Sequence, residues 1–219
     1  MGHFVVIEGV DLLGKSTQLA RAEDAARASG LSVAVTSFPV RTAPITGSPI
    51  ERFLAGELSL VVDPAGDPVG QMLAGQALFS LNRREAAPEL RALLAGHDLV
   101  IASRYALSAR AYAIAGGVPP AVITRLHRDL EGDLPRPDLT IVLDADPDTL
   151  TGRPRAGGLD AFEQDRGLQQ RVRAAYTALA VADRRVELVD AAGTPDEVAA
   201  RVAALLVAKG ILPGRGRRR

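Results

Sequence analysis

The stretch Phe4-Val5-Val6-Ile7-Glu8-Gly9-Val10-Asp11-Leu12-Leu13-Gly14-Lys15-Ser16-Thr17 decides the fold. Its first four residues are an unbroken apolar run rich in β-branched side chains, the mark of a strand buried on both faces. From Gly9 the chain matches G-x-x-x-x-G-K-[ST] in full, and an Ala/Leu/Arg-rich stretch with helical spacing follows over residues 16–28. Strand, glycine loop and helix together predict a phosphate loop. Gly9 and Gly14 let the backbone curl with its N–H groups inward, and those donors join the helix N-terminus as an anion nest. Lys15 is expected to bridge the β- and γ-phosphates of a bound nucleotide, and the Ser16 hydroxyl to bind Mg²⁺. Gly9, Val10, Asp11, Leu12, Leu13, Gly14, Lys15, Ser16 and Thr17 therefore form the expected nucleotide-binding set, with ATP as the donor. The pattern alone does not separate kinases from hydrolases. Asp11 is unusual here, because a carboxylate beside a phosphate nest repels the nucleotide. It calls for a compensating use, such as accepting a hydrogen bond from a substrate hydroxyl or orienting a cation.

Four more apolar runs follow the first, at residues 32–36, 99–102, 139–143 and 186–189. Between them lie helical patterns at 69–86, 87–95, 121–130, 168–180 and 195–208. This alternation implies an α/β fold with a five-stranded parallel sheet and helices on both faces. Pro- and Gly-bearing stretches at 44–49, 62–68, 116–120 and 152–158 read as linkers within one unit, so residues 1–209 are expected to form a single domain. Residues 210–219 read as a basic, solvated tail.

The chain has 219 residues, 47% of them hydrophobic, with 26 basic and 26 acidic side chains. This balance provides no global field for holding nucleic acid or an acidic membrane, so any polyanion needs a local site. The absence of cysteine excludes disulfides, thiolate metal sites and a cysteine nucleophile. The N-terminus lacks the pattern of a signal peptide and no apolar run reaches membrane-spanning length, so a cytoplasmic location is expected.

Several segments outside the loop could hold an acceptor. Phe38-Pro39-Val40-Arg41 follows the second strand, where the carboxyl ends of an open sheet form a ligand crevice; Arg41 could grip a phosphate bidentately there. Phe79 and Arg83 are four apart on a predicted helix and share a face, so a ring to stack on a base sits one turn from a cation to bond its edge. Ser103-Arg104-Tyr105 closes the third strand and offers a second phosphate clamp in Arg104. Ser108 and Tyr112 follow, and a bulky Tyr112 near a sugar could exclude a 2′-hydroxyl. The Gly- and Arg-rich run from residue 152, extended to 163, has the composition of a mobile lid.

In order, EGVD-x-x-GKST, FP-x-R, F-x-x-NR, RY-x-x-S-x-x-x-Y, LP-x-PDL and the lid make this chain resemble the thymidylate kinase family over about residues 4–208. The resemblance implies a P-loop kinase fold and transfer of the ATP γ-phosphoryl group to dTMP, giving dTDP and ADP. It casts Asp11 as the contact to the acceptor's 3′-hydroxyl and Arg41 and Arg104 as its phosphate ligands. Phe38 and Pro39 fall in the same acceptor site. Phe79 would be the ring stacked on thymine, Arg83 the donor to its carbonyl edge, Ser108 a residue near the base and Tyr112 the one favouring deoxyribose. It also implies a homodimer.

The sequence departs from the family pattern twice. Ser103 stands where the family usually has an Asp that helps hold Mg²⁺ through water and lies beside the acceptor phosphate. Leu12 stands where some members have a catalytic Arg, so the cation is expected from the lid, with Arg153 and Arg155 the candidates and Arg166 behind them. Ser103 keeps open a kinase for another pyrimidine monophosphate such as dUMP, and both departures keep open a nucleotide-binding degenerate kinase.

Overall fold

In a computed structural model of the protein, the residues described are 2–10, 13–146 and 165–214. Asp11, Leu12, Arg153, Arg155 and the whole predicted lid lie outside them. Five strands, β1 (His3–Gly9), β2 (Val33–Ser37), β3 (Leu99–Ser103), β4 (Leu139–Asp144) and β5 (Val186–Asp190), form one sheet in the order β2-β3-β1-β4-β5. All four pairings are parallel, as the apolar runs predict. The carboxyl ends of all five strands therefore share one edge, and the glycine loop leaves from the central strand. The described helices are α1 (Lys15–Ala28), α2 (Gly47–Leu54), α3 (Pro68–Glu85), α4 (Ala87–Gly96), α5 (Ala106–Ala115), α6 (Pro120–Glu131), α7 (Arg166–Ala182) and α8 (Pro195–Ala208).

Side chains of a strand alternate between faces, and here both faces are buried. Phe4, Val6, Val100 and Ala102 pack with Leu90 and Leu94 of α4. Val5, Ile7, Leu99 and Ile101 pack with Ala22 and Ala26 of α1 and Val198, Val202 and Leu206 of α8. The helix starts carry ordinary local signals. Asp67 caps α3 through Gly70 N–H, Asp165 caps α7 through Leu168 N–H, and Thr194 and Glu197 form a reciprocal capping box on α8.

Two helices depart from the sequence expectation. The stretch 44–49, read as linker, runs into α2, whose Ile50, Phe53 and Leu54 are buried at helical spacing. Its Pro49 falls in the first turn, where a proline is tolerated. The turn after β3 continues as α5, where Ala109, Ala111, Ala113 and Ala115 are buried against its neighbours. The Asp138 of LP-x-PDL is structural: its carboxylate accepts from Phe4 N–H at 2.8 Å and its own N–H donates to Phe4 C=O at 2.8 Å, starting the β1–β4 pairing.

Candidate active site

At the carboxyl edge of β1 the chain turns through Gly9, at φ +136°, where a Cβ would lie 2.6 Å from the Leu143 carbonyl oxygen. Only glycine permits that approach. Gly14 precedes α1 in the left-handed conformation, at φ +77°. Lys15 Nζ donates to the Val10 carbonyl at 2.9 Å, which folds the ammonium over the loop. Val10 and Leu13 are buried in the core beneath it. Ser16 and Thr17 are exposed on the first turn of α1.

Glu8 lies behind this loop and is fully buried. It accepts from Tyr105 N–H at 2.8 Å, from Ser108 N–H at 3.2 Å, from the Ser108 hydroxyl at 2.8 Å and from the Tyr176 hydroxyl at 3.1 Å. Burial pushes its pKa up, against the pull of the Arg104 charge and of hydrogen bonds from Ser108 and Tyr105. One carboxyl thus ties β1, the β3–α5 turn and α7 together. Arg104, in the middle of that turn, has φ +62°, a left-handed conformation that costs a non-glycine residue roughly 1–2 kcal/mol. Arg104 N–H donates to Ile7 C=O at 2.9 Å, and the neighbouring Tyr105 N–H is held by Glu8. The guanidinium lies 5.8 Å from the centroid of the Tyr112 ring, a cation–π distance. Tyr112 in turn accepts a hydrogen bond from Gln169 of α7 at 3.3 Å. Ser108 therefore has a task other than base reading: its hydroxyl is engaged by Glu8, and it anchors the turn that presents Arg104.

Arg41 depends on α3. The Asn82 amide accepts from Val40 N–H at 2.8 Å, donates to Val40 C=O at 2.9 Å and donates to Thr46 Oγ1 at 2.8 Å. The Glu85 carboxylate accepts from Ile45 N–H at 2.7 Å, Thr46 N–H at 3.0 Å and Thr46 Oγ1 at 2.6 Å. The Thr46 hydroxyl bond first, with those of the two N–H groups, holds its pKa below the ordinary value. These two residues fix the loop on either side of Arg41, which is itself exposed. Phe38 packs edge-on to Tyr105 at 4.9 Å, and the Phe38–Pro39 peptide is cis.

The other end of the site is one face of α3. Phe79 meets Phe53 of α2 edge-on at 6.0 Å. Gly75 makes room for this, since a Cβ there would lie 2.4 Å from the Phe53 ring. Arg83 is buried, and its Nε and Nη2 donate to Glu131 of α6 at 3.2 and 2.5 Å. Nη2 also reaches the Ser80 hydroxyl at 3.2 Å. Burial alone would raise the Glu131 carboxyl, but the charge and hydrogen bonds of Arg83, with His127 and Ser80, hold it below the ordinary value. Nη1 of Arg83 makes no hydrogen bond to a described residue and is the nitrogen left for a ligand.

His127 packs beside this pair, with Nε2 3.8 Å from Glu131 Oε1. Burial pushes its pKa down to about 4, against the pull of Glu131. The folded protein therefore holds His127 neutral, while the unfolded chain takes up a proton below its ordinary pKa of 6.5. The corresponding stability is complete above pH 6.5 and is lost as pH falls towards 4. At pH 5 the loss is about 2 kcal/mol. Thermal melts should show His127→Gln losing that much less stability than the parent protein between pH 7 and pH 5.

All these parts open on one cavity of about 760 Å³. Ser16 and Ser103 line it at the phosphate-loop end, Arg41, Arg104 and Tyr112 along its walls, and Phe79 and Arg83 at the far end. Phe38, Pro39 and Ser108 also line it. The structure thus brings together every acceptor-side residue singled out from the sequence that it describes. The thymidylate kinase family model matches residues 7–202. The chain belongs to the thymidylate kinase family. A thymidylate kinase from Cereibacter sphaeroides is 37% identical over 215 residues, covering 94% of each chain. One from Deinococcus radiodurans is 35% identical over 216 residues, covering 95% of this chain and 98% of its own. A solved thymidylate kinase from Candida albicans superposes with a TM-score of 0.76 at 25% identity, covering 96% of this chain and 93% of the other. A thymidylate kinase is a nucleoside monophosphate kinase, and this chain is a phosphotransferase of that class. Within this family member, Glu8, Asn82, Glu85, Gln169 and Tyr176 are the supporting residues that reading the sequence did not assign. Asn82 was visible as a letter of F-x-x-NR, and Glu8 as the residue before Gly9, but their partners lie far along the chain. No helix among the described residues is long and apolar enough to cross a membrane.

Proposed function

We propose that the protein transfers the γ-phosphoryl group of ATP to dTMP. The cavity carries this reading, because it joins the phosphate loop at Ser16 to an aromatic and cationic pocket at Phe79 and Arg83, with Arg41 and Arg104 between them. An acceptor phosphate held by two guanidinium groups would sit beside the triphosphate, and its base would lie against Phe79. The acceptor oxygen is already anionic at neutral pH, so no strong base is required. It forms a bond to the γ-phosphorus while the bond to the β,γ-bridging oxygen breaks and ADP leaves. Catalysis is then positioning and charge neutralisation. Lys15 covers the β- and γ-oxygens, and Arg104 and Arg41 hold the acceptor in line. Asp11 holds the 3′-hydroxyl, Tyr112 packs against the sugar, and Arg153 or Arg155 supplies the further cation.

Mg²⁺ fits the residues present. The exposed Ser16 hydroxyl on the cavity wall, phosphate oxygens and waters make up the all-oxygen donor set that this ion takes. When bound it supplies charge neutralisation at the triphosphate. Ser103 lines the same cavity, so its hydroxyl can reach a metal-bound water but brings no charge. Ser103→Asp is expected to lower the Mg²⁺ concentration for half-maximal rate by about tenfold, the equivalent of ~1.4 kcal/mol. A titration of initial rate against Mg²⁺ checks this, and an unchanged midpoint would mean that another group holds the ion.

Following the family, we also propose a homodimer in the cytoplasm; Leu81 of α3 and Val122 of α6 are apolar residues left exposed on one chain. The acceptor is tested by coupled ADP release across a panel of nucleoside monophosphates. The expected order places dTMP first. A higher kcat/KM for another monophosphate would replace it as the acceptor.

A further inference from the structure

Gln76 stands one turn before Phe79 and Ser80 and two turns before Arg83, on the same face of α3. It is only 2% exposed, yet it lines the cavity. Its Nε2 donates to the Met72 sulfur at 3.3 Å, while its Oε1 is buried with no hydrogen-bond partner. A thioether sulfur accepts but cannot donate, so this contact directs the amide nitrogen to Met72 and leaves the carbonyl oxygen as the unsatisfied atom. A buried acceptor without a partner is a standing cost to the fold. It is relieved by a ligand that brings a donor.

Across the cavity, Ala109 of α5 is small and buried and also lines the space. The Ser108 hydroxyl beside it is engaged by Glu8. No described side chain of α5 singled out from the sequence is therefore left to meet the edge of a base. At the other end of the α3 face, Arg83 offers only donors. The pocket wall thus presents one acceptor, Gln76 Oε1, and one donor, Arg83 Nη1. A pyrimidine whose edge carries an N–H beside a carbonyl complements this pair. Cytosine, with an acceptor at N3 and an amino group at C4, reverses it.

We infer that Gln76 is a specificity-determining residue whose side-chain oxygen accepts the imide N3–H of the acceptor base. The inference rests on the placement of that base against Phe79. Once the contact forms, Gln76 has both polar groups satisfied, and a base lacking the N–H leaves the oxygen buried and unpaired. Discrimination against such a base arises from the unpaired group more than from lost attraction.

The test uses the full chain with ATP and two acceptors: dTMP and its 3-deaza analogue, in which a C–H replaces N3–H at nearly the same shape. The parent protein should use the analogue with about tenfold lower kcat/KM, a factor that corresponds to ~1.4 kcal/mol. Gln76→Met, which keeps the bulk and removes the acceptor, should raise KM for dTMP by about tenfold. KM for ATP and the melting temperature should stay unchanged, and the two acceptors should become equivalent. Gln76→Ala provides the same comparison should methionine crowd Met72. Equal use of the two acceptors by the parent protein would overturn the inference, as would a tenfold preference that persists in both variants. Phe79→Ala separates the two levels of argument. If it raises KM for dTMP while the Gln76 variants do not, the base pocket stands and the role of Gln76 falls. If Phe79→Ala leaves that KM unmoved, the placement of the base is itself wrong.

Discussion

Lys15→Ala should lower kcat by about 10³-fold, roughly 4 kcal/mol of transition-state stabilisation, with a melting temperature within about a degree of the parent protein. The asymmetry follows from where the residue sits. Its ammonium bonds the Val10 carbonyl of its own loop, and that oxygen can turn to water when the side chain is removed. The side chain is only part-buried, and substitutions of this kind are usually worth within ~0.5 kcal/mol of stability. In the transition state, by contrast, the ammonium faces oxygens whose charge is being redistributed, and no described residue of the loop replaces it. Steady-state kinetics and a thermal melt on the same preparation decide the matter. A kcat within tenfold of the parent value would mean that the loop does not hold the transferring phosphate.

The largest effect on stability is expected at the α3–α6 contact. Glu131→Ala leaves the Arg83 guanidinium buried without its counter-charge, since the two side chains are only 4% and 6% exposed and meet at 2.5 Å. Breaking such a pair from one side costs about 3–5 kcal/mol, which for a chain of this size lowers the melting temperature by roughly 12 °C. Replacing both partners with apolar residues of similar bulk, Arg83→Met with Glu131→Leu, should recover most of that loss, because it removes both charges together. The double variant should still bind dTMP about tenfold more weakly, since the donor to the base is gone. This separation matters for Arg83, whose single replacement by alanine strands Glu131 and mixes loss of fold with loss of binding. Full stability in Glu131→Ala would show that the pair is not buried as described.

The sheet and the phosphate loop were legible in the sequence because their signals are local. Five unbroken apolar runs can only be strands buried on both faces, and Gly9 and Gly14 are required by backbone conformations that other residues avoid. What the sequence concealed depends on distant partners. The donors to Glu8 come from Tyr105, Ser108 and Tyr176, 97 to 168 positions away, so its place in a recognised motif gave no hint of its bonds. Arg83 read as a cation one turn from a ring, which it is, but Glu131 lies 48 positions on and makes it structural as well. Ser108 read as a base contact because its spacing fits, whereas its hydroxyl points into the protein at Glu8. Helix α2 was too short for its buried Ile50, Phe53 and Leu54 to stand out beside Pro44 and Pro49. Helix α5 is alanine-rich, and alanine marks a buried face only weakly.

The central claim is that Lys15 and the loop amides present a triphosphate to a monophosphate clamped by Arg41 and Arg104. Its most direct test is a single-turnover reaction of the purified chain with Mg²⁺, dTMP and ATP labelled at the γ-phosphate. The account predicts that the label passes to dTDP, one for each ADP formed, and that omitting dTMP suppresses ADP formation. Label released as inorganic phosphate at the same rate with or without dTMP would contradict it.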